Sequence, residues 1–271
     1  MANSVNNETA LDLRDEYREL DAVCATLGHE QWHLRSAFYG WTPWDEVAHL
    51  CYFDETSLHS INDPERFAAE AAALSGRMAR GEQISAIARD RYRHHDGPAL
   101  LEYWRGRYEA LTNALSAMDP KARLLWYGPS MSARSFTTAR MMETWAHGQD
   151  VWDVLRRRRR ATNRLQHIAH LGVTTFGWTF ANRKLPVPAV APHVRLDAPD
   201  GAIWSWGDAA SEHRVAGSAE DFCLLVTQRR HVDDTGLQYT AGPVSDWLHI
   251  AQCFAGPPAD GPKSGERRAV D

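Results

Sequence analysis

The chain has 271 residues, 44% hydrophobic and 24% charged, a composition that suits a globular protein with room for one or two domains. Its formal net charge of -5 speaks against a nucleic-acid role, and it holds no run of about 18 apolar residues that could span a membrane. Cys24, Cys51, Cys223 and Cys253 stand far apart with no C-x-x-C pair, which argues against a disulfide framework or a zinc knuckle and reads as buried thiols.

The opening stretch, MANSVNNETALDLRDEYREL, is acidic and polar and lacks the apolar core of a signal peptide, which reads as a cytoplasmic chain. Residues 1–7 read as a frayed terminus. Leu11, Leu13, Tyr17, Leu20, Val23 and Leu27 then recur at helical spacing across 9–27. An aromatic-rich connector over 32–40 follows. The next helix begins at a clear signal: Thr42 suits an N-cap, Pro43 fits the first helical position, and Asp45 and Glu46 fall in the first turn, where the helix dipole favours negative charge. This helix is predicted to run to around Ile61.

Further helices are predicted over 64–79, 100–118, 132–155 and 163–181, with 81–97 as a variable segment. The pattern changes after Asn182, where Pro186, Pro188 and Pro192 mark a boundary. Short strands are predicted over 193–196, 202–206, 212–215 and 237–240, with helices over 218–227 and 244–254. The expected chain is mainly α, with a helical bundle over 1–185, a small α+β domain over 190–255, and a Gly- and Pro-rich disordered tail over 256–271.

Chemistry concentrates in METWAHGQDVWDVL, where Glu143 and His147 lie four residues apart and so share one helical face. A carboxylate and an imidazole there can bind one metal ion. Asp150 and Arg140 extend the same stripe, and Asp150 is placed to orient His147 from behind. By itself E-x-x-x-H arises on many surface helices. His49 adds weight, because it sits among Trp44, Val47, Ala48, Cys51 and Tyr52, and a histidine on such an apolar face needs a partner. The plain alternative is a hydrogen-bonded core histidine. Facing helices of a bundle commonly build metal sites from inward side chains, and His49, Glu143 and His147 are the expected ligands.

GWTPWDEVAHL resembles the first signature of the mycothiol-dependent maleylpyruvate isomerase family, in which a Trp-Thr turn caps a helix carrying V-x-H-L. RMMETWAHGQDVWD resembles the second, and its Glu143 lies 94 positions after His49. AGSAEDFCLLVTQRR resembles the family's small α+β domain more loosely. The resemblance implies a DinB-like four-helix bundle. It also implies a divalent metal, usually zinc, held by two His and one Glu with an open position for the thiol of mycothiol. Three nitrogen and carboxylate ligands with an open site describe a catalytic zinc, whereas a structural one is closed by four ligands. A cation at that position stabilises the thiolate, which can then attack an electrophilic small molecule.

Isomerisation and S-transfer share that first step, and the three ligands do not choose between them. Arg140, Arg229 and Arg230 are candidates for holding substrate or cosubstrate, as are Arg77 and Arg80, although each is also the kind of arginine a surface carries. The competing class is a non-catalytic metal-binding or sensor protein with the same bundle. The run Arg156–Arg160 reads as favourable charge beyond a helix C-terminus rather than an RNA patch. No phosphate-loop or dinucleotide-binding glycine motif is present.

Overall fold

The computed structural model describes residues 8–267, so the expectations for residues 1–7 and 268–271 lie outside the described residues. The chain divides into two compact units, the first ending at Leu155 and the second starting at Arg156.

In the first unit, α1 (Glu8–Cys24), α2 (Pro43–Asn62), α5 (Gly97–Ala117) and α6 (Ala133–Val154) form a four-helix bundle. Helix α1 packs on α5 and α6, and α2 packs on the same two. Two further helices, α3 (Pro64–Ala79) and α4 (Ile84–Tyr92), lie against α2. A short antiparallel pair, β1 (Arg123–Leu124) with β2 (Met131–Ser132), leads from α5 into α6.

The start of α2 shows why these residues fold as they do. The Thr42 hydroxyl accepts from the Asp45 amide, and the Asp45 carboxylate accepts from the Thr42 amide at 2.9 Å, so two otherwise unpaired donors are satisfied reciprocally. Arg89 of α4 grips the same carboxylate at 2.6 and 2.8 Å, which ties α4 to the cap. Trp44 donates its indole N–H to the His95 carbonyl at 3.0 Å, and Asp96 caps α5 through the Ala99 amide. Gly97 is required where it stands, because a Cβ there would fall 2.2 Å from the Trp32 ring.

A polar pin runs through the middle of the bundle, with one residue from each of its four helices. Buried Asp54 of α2 accepts from Tyr17 of α1 at 2.5 Å, from Trp104 of α5 at 2.8 Å and from Arg140 of α6 at 3.0 Å. Burial opposes charge on Arg140, but the Asp54 carboxylate holds the guanidinium protonated, above its ordinary value. A buried pair with its hydrogen bonds met fixes the register of the helices that supply it.

The second unit holds α7 (Leu165–Thr174), α8 (Phe176–Asn182), α9 (Ala219–Val226), α10 (Pro243–Ile250) and a four-stranded sheet. Its strands β3 (His193–Asp197), β4 (Ile203–Trp206), β5 (Arg214–Ser218) and β6 (Gln238–Tyr239) are ordered β4-β3-β5-β6. Strands β3 and β5 run parallel, and the other two pairings are antiparallel.

Three expectations differ from what is observed. First, the unit boundary falls near 155 rather than 185. Arg156 takes a left-handed conformation (φ 53°) that stops α6, and α7 packs on α9. Gly172 makes that close approach possible, since a Cβ would meet Val226 at 2.8 Å. Second, the single helix predicted over 163–181 is two, α7 and α8, with Thr175 between them, and the variable segment contains α4. Third, the tail is not loose through 267. Gly265 donates to Asp234 at 2.8 Å, Arg267 to the Gln228 carbonyl at 2.8 Å, and Arg183 pairs with Asp260 at 2.9 Å.

Candidate metal centre

His49 on α2 and Glu143 and His147 on α6 come together inside the first unit. His49 Nε2 lies 3.5 Å from Glu143 Oε2, and His147 Nε2 lies 3.3 Å from the same oxygen. The two imidazole rings are 4.3 Å apart between centroids. One ligand atom from each of the three residues lies within 4.8 Å of the other two. Donors about 2.1 Å from a tetrahedral zinc stand about 3.4 Å from one another, so the two His–Glu separations are already those of a coordination polyhedron. Two nitrogens and one carboxylate oxygen also suit zinc chemically. The residues present fit a divalent ion.

The surroundings hold the imidazoles in place. Trp41 stacks on His147 at 5.6 Å with an interplanar angle of 13°, and Phe38 meets the same ring edge-on at 5.5 Å. Phe53 meets His49 edge-on at 4.8 Å. The His147 and His49 side chains are 6% and 10% exposed, whereas Glu143 keeps 27%, so the site reaches solvent along the carboxylate. Burial pushes the Glu143 carboxyl upward, yet the hydrogen bonds and charges of His147 and His49 hold it well below the usual carboxylate range. The group is therefore ready as an anionic ligand at neutral pH.

The residue on the back of His147 is one that the sequence reading passed over. Glu46 Oε2 lies 2.7 Å from His147 Nδ1. Asp150, expected in that role, is buried, and a carboxylate oxygen of it lies within 4.8 Å of ligand atoms of both Glu46 and His147, beside the same contact. A signal for Glu46 was available: E-x-x-H places it on the His49 face of α2.

The candidate arginines fall elsewhere. Arg140, expected as a catalytic group, is engaged with Asp54 in the bundle pin. Arg77 and Arg80 both pair with Glu82, at 2.6 and 3.4 Å. Arg229 and Arg230, expected to hold the cosubstrate, belong to the second unit and are buried, each 3% exposed. Arg229 donates to the Thr227 carbonyl and Arg230 to the Arg229 carbonyl, both at 2.8 Å. They are therefore not surface arginines.

All four cysteines are buried thiols outside any disulfide. Burial pushes the Cys24, Cys51 and Cys223 thiols upward, which disfavours their nucleophilic form. No helix among the described residues is long and apolar enough to cross a membrane.

Two uncharacterized proteins of Mycobacterium tuberculosis, from strains CDC 1551 / Oshkosh and ATCC 25618 / H37Rv, are each 41% identical over 256 residues, covering 92% of this chain and 96% of theirs. Crystal structures of the mycothiol-dependent maleylpyruvate isomerase and of a point mutant of it superpose with a TM-score of 0.56 at 15% identity. Each superposition covers 87% of this chain and 93% of theirs, which shows a shared fold. Residues 13–152, which hold most of the bundle, match the mycothiol maleylpyruvate isomerase N-terminal domain, and the chain belongs to that family.

Proposed function

We propose that the protein is a metal-dependent enzyme that activates a low-molecular-weight thiol, mycothiol, for attack on an electrophilic small molecule in an S-transfer or isomerisation reaction. The observation that carries this reading is the pair of imidazole Nε2 atoms facing one Glu143 oxygen at 3.3 and 3.5 Å. That arrangement supplies three ligands to zinc or another divalent ion and leaves a further position on the exposed Glu143 side.

A zinc ion held there supplies positive charge that favours the thiolate over the thiol. The chain's own residues do the rest. His49, Glu143 and His147 would hold the ion, and Glu143 would bring the negative charge that keeps it bound. The wall of Trp41, Phe38 and Phe53 limits ring motion and water around the imidazoles. The thiol proton leaves to solvent along the Glu143 opening. The thiolate sulfur would then form a bond to an electrophilic carbon as a leaving group departs with its electron pair, which is S-transfer, or as a carbon–carbon double bond opens, which isomerisation closes again after rotation to expel the thiolate. Buried thiols of the chain itself are poor candidates for the nucleophile, which supports an external cosubstrate.

The test of the function as a whole is incubation of zinc-loaded protein with mycothiol and a panel of electrophiles, followed by mass spectrometry. Zinc- and thiol-dependent products support the reading. A protein that binds zinc and forms none would be a metal-binding or sensor protein instead.

A further inference from the structure

We infer that Glu46 is a positioning residue of the metal centre, fixing His147 so that Nε2 rather than Nδ1 faces the metal. The inference rests on the metal reading above and adds a residue to it. Glu46 lies in the first turn of α2 and is 1% exposed, three residues before His49. Its Oε2 reaches across to α6 and lies 2.7 Å from Nδ1 of His147.

An ionised carboxylate can only accept a hydrogen bond, so the proton in this contact sits on Nδ1. His147 then carries Nδ1–H, which leaves Nε2, 3.3 Å from Glu143 Oε2, as the nitrogen that can give up a proton and turn its lone pair to a metal. The opposite tautomer would put a proton on Nε2, where the ligand lone pair is needed, and would set two acceptors against each other at Nδ1. The helix N-terminus is a favourable place for the Glu46 charge. The α2 stripe thus does two things at once, with His49 facing the metal and Glu46 orienting the ligand on α6. Asp150 stands beside this contact and offers a second carboxylate to the same cluster.

The test combines two readouts on the full-length chain. Zinc affinity is measured by competition with a chromophoric chelator, and the His147 tautomer is read from long-range proton–nitrogen NMR of the zinc-free protein. Wild type is expected to show Nδ1–H. E46A is expected to bind zinc about 10–100-fold more weakly and to lose that preference. E46Q, whose amide oxygen can still accept from Nδ1, should fall between the two, and it remains informative if E46A does not fold. D150N is expected to weaken zinc less than E46A does.

Wild-type-like zinc affinity and tautomer in folded E46A would overturn the inference. So would an Nδ1 without a proton in the wild type. Two zinc ions per wild-type chain, with one lost in E46A, would instead make Glu46 a ligand. Absence of zinc binding in the wild type would count against the metal reading, while the tautomer spectrum would still report whether Glu46 holds His147.

Discussion

Arg140 and Asp54 form an ion pair at the centre of the bundle, with Nε and Nη2 at 3.0 and 2.9 Å from one carboxylate oxygen. Removing one member leaves the other charged and buried. Arg140→Met is therefore expected to cost about 3–5 kcal/mol, read as a lower urea midpoint. Arg140→Met combined with Asp54→Leu should recover much of that loss. A purely catalytic Arg140 would behave differently, losing turnover with stability unchanged.

Removal of a metal ligand is expected to separate metal binding from folding. His147→Ala should take zinc from one per chain to none in elemental analysis while helical circular dichroism persists. The reason is that the core of the first unit, from Leu13 and Tyr17 to Trp104 and Leu111, is built of buried side chains that do not touch the metal ligands' role. Glu143→Ala should weaken metal retention, since it removes the anionic ligand. Collapse of the helical signal on adding a chelator would show a structural metal.

Asp45 gives a pH dependence with a definite sign. Burial pushes its carboxyl upward, but the hydrogen bonds from Arg89 and Thr42 outweigh burial and hold it below its ordinary value. A depressed carboxylate contributes stability that is present above the unfolded value of about 3.9 and is lost as pH falls through the folded one. Asp45→Asn is expected to cost about 1 kcal/mol near pH 6 and less near pH 3, read as the difference in urea midpoint from wild type. A difference that grows on acidification would contradict the assignment.

Much of this was legible in the sequence because the local signals agreed. Helix α2 is announced by Thr42, Pro43 and Asp45, and α3 and α6 fall in the stretches 64–79 and 132–155 that read as helical, with N-caps at Asp63 and Ser132 in the structure. Helix α4 was missed because it has nine residues and its N-cap residue, Gln83, makes no side-chain cap. The unit boundary was placed at the prolines after 185, since nothing in an arginine run signals that Arg156 will adopt positive φ. The tail reads as polar and irregular, and partners elsewhere in the chain, Asp234, Gln228 and Arg183 among them, order it. Within the site, i,i+4 spacing named Glu143 and His147. The partner of Nδ1 lies 101 positions away from His147, so a stripe along one helix pointed to Asp150 and passed over Glu46.

Asp150→Asn therefore asks a narrower question than it would from sequence alone. With Glu46 on Nδ1, the loss of Asp150's charge is expected to leave zinc in place and to lower activity or thiol affinity about 10–100-fold, as for an outer carboxylate. Parallel zinc and turnover assays would check it. Loss of zinc in this variant would make Asp150 a ligand.

The most direct measurement for thiol activation is calorimetric titration of mycothiol into the zinc-loaded protein at pH 7, in buffers of different ionisation enthalpy. A metal-bound thiol should ionise below its solution value of about 8.5, so binding is expected to release a proton, seen as a heat that varies with the buffer. Binding without proton release, or no binding, would contradict thiol activation and leave a metal-binding bundle with some other purpose.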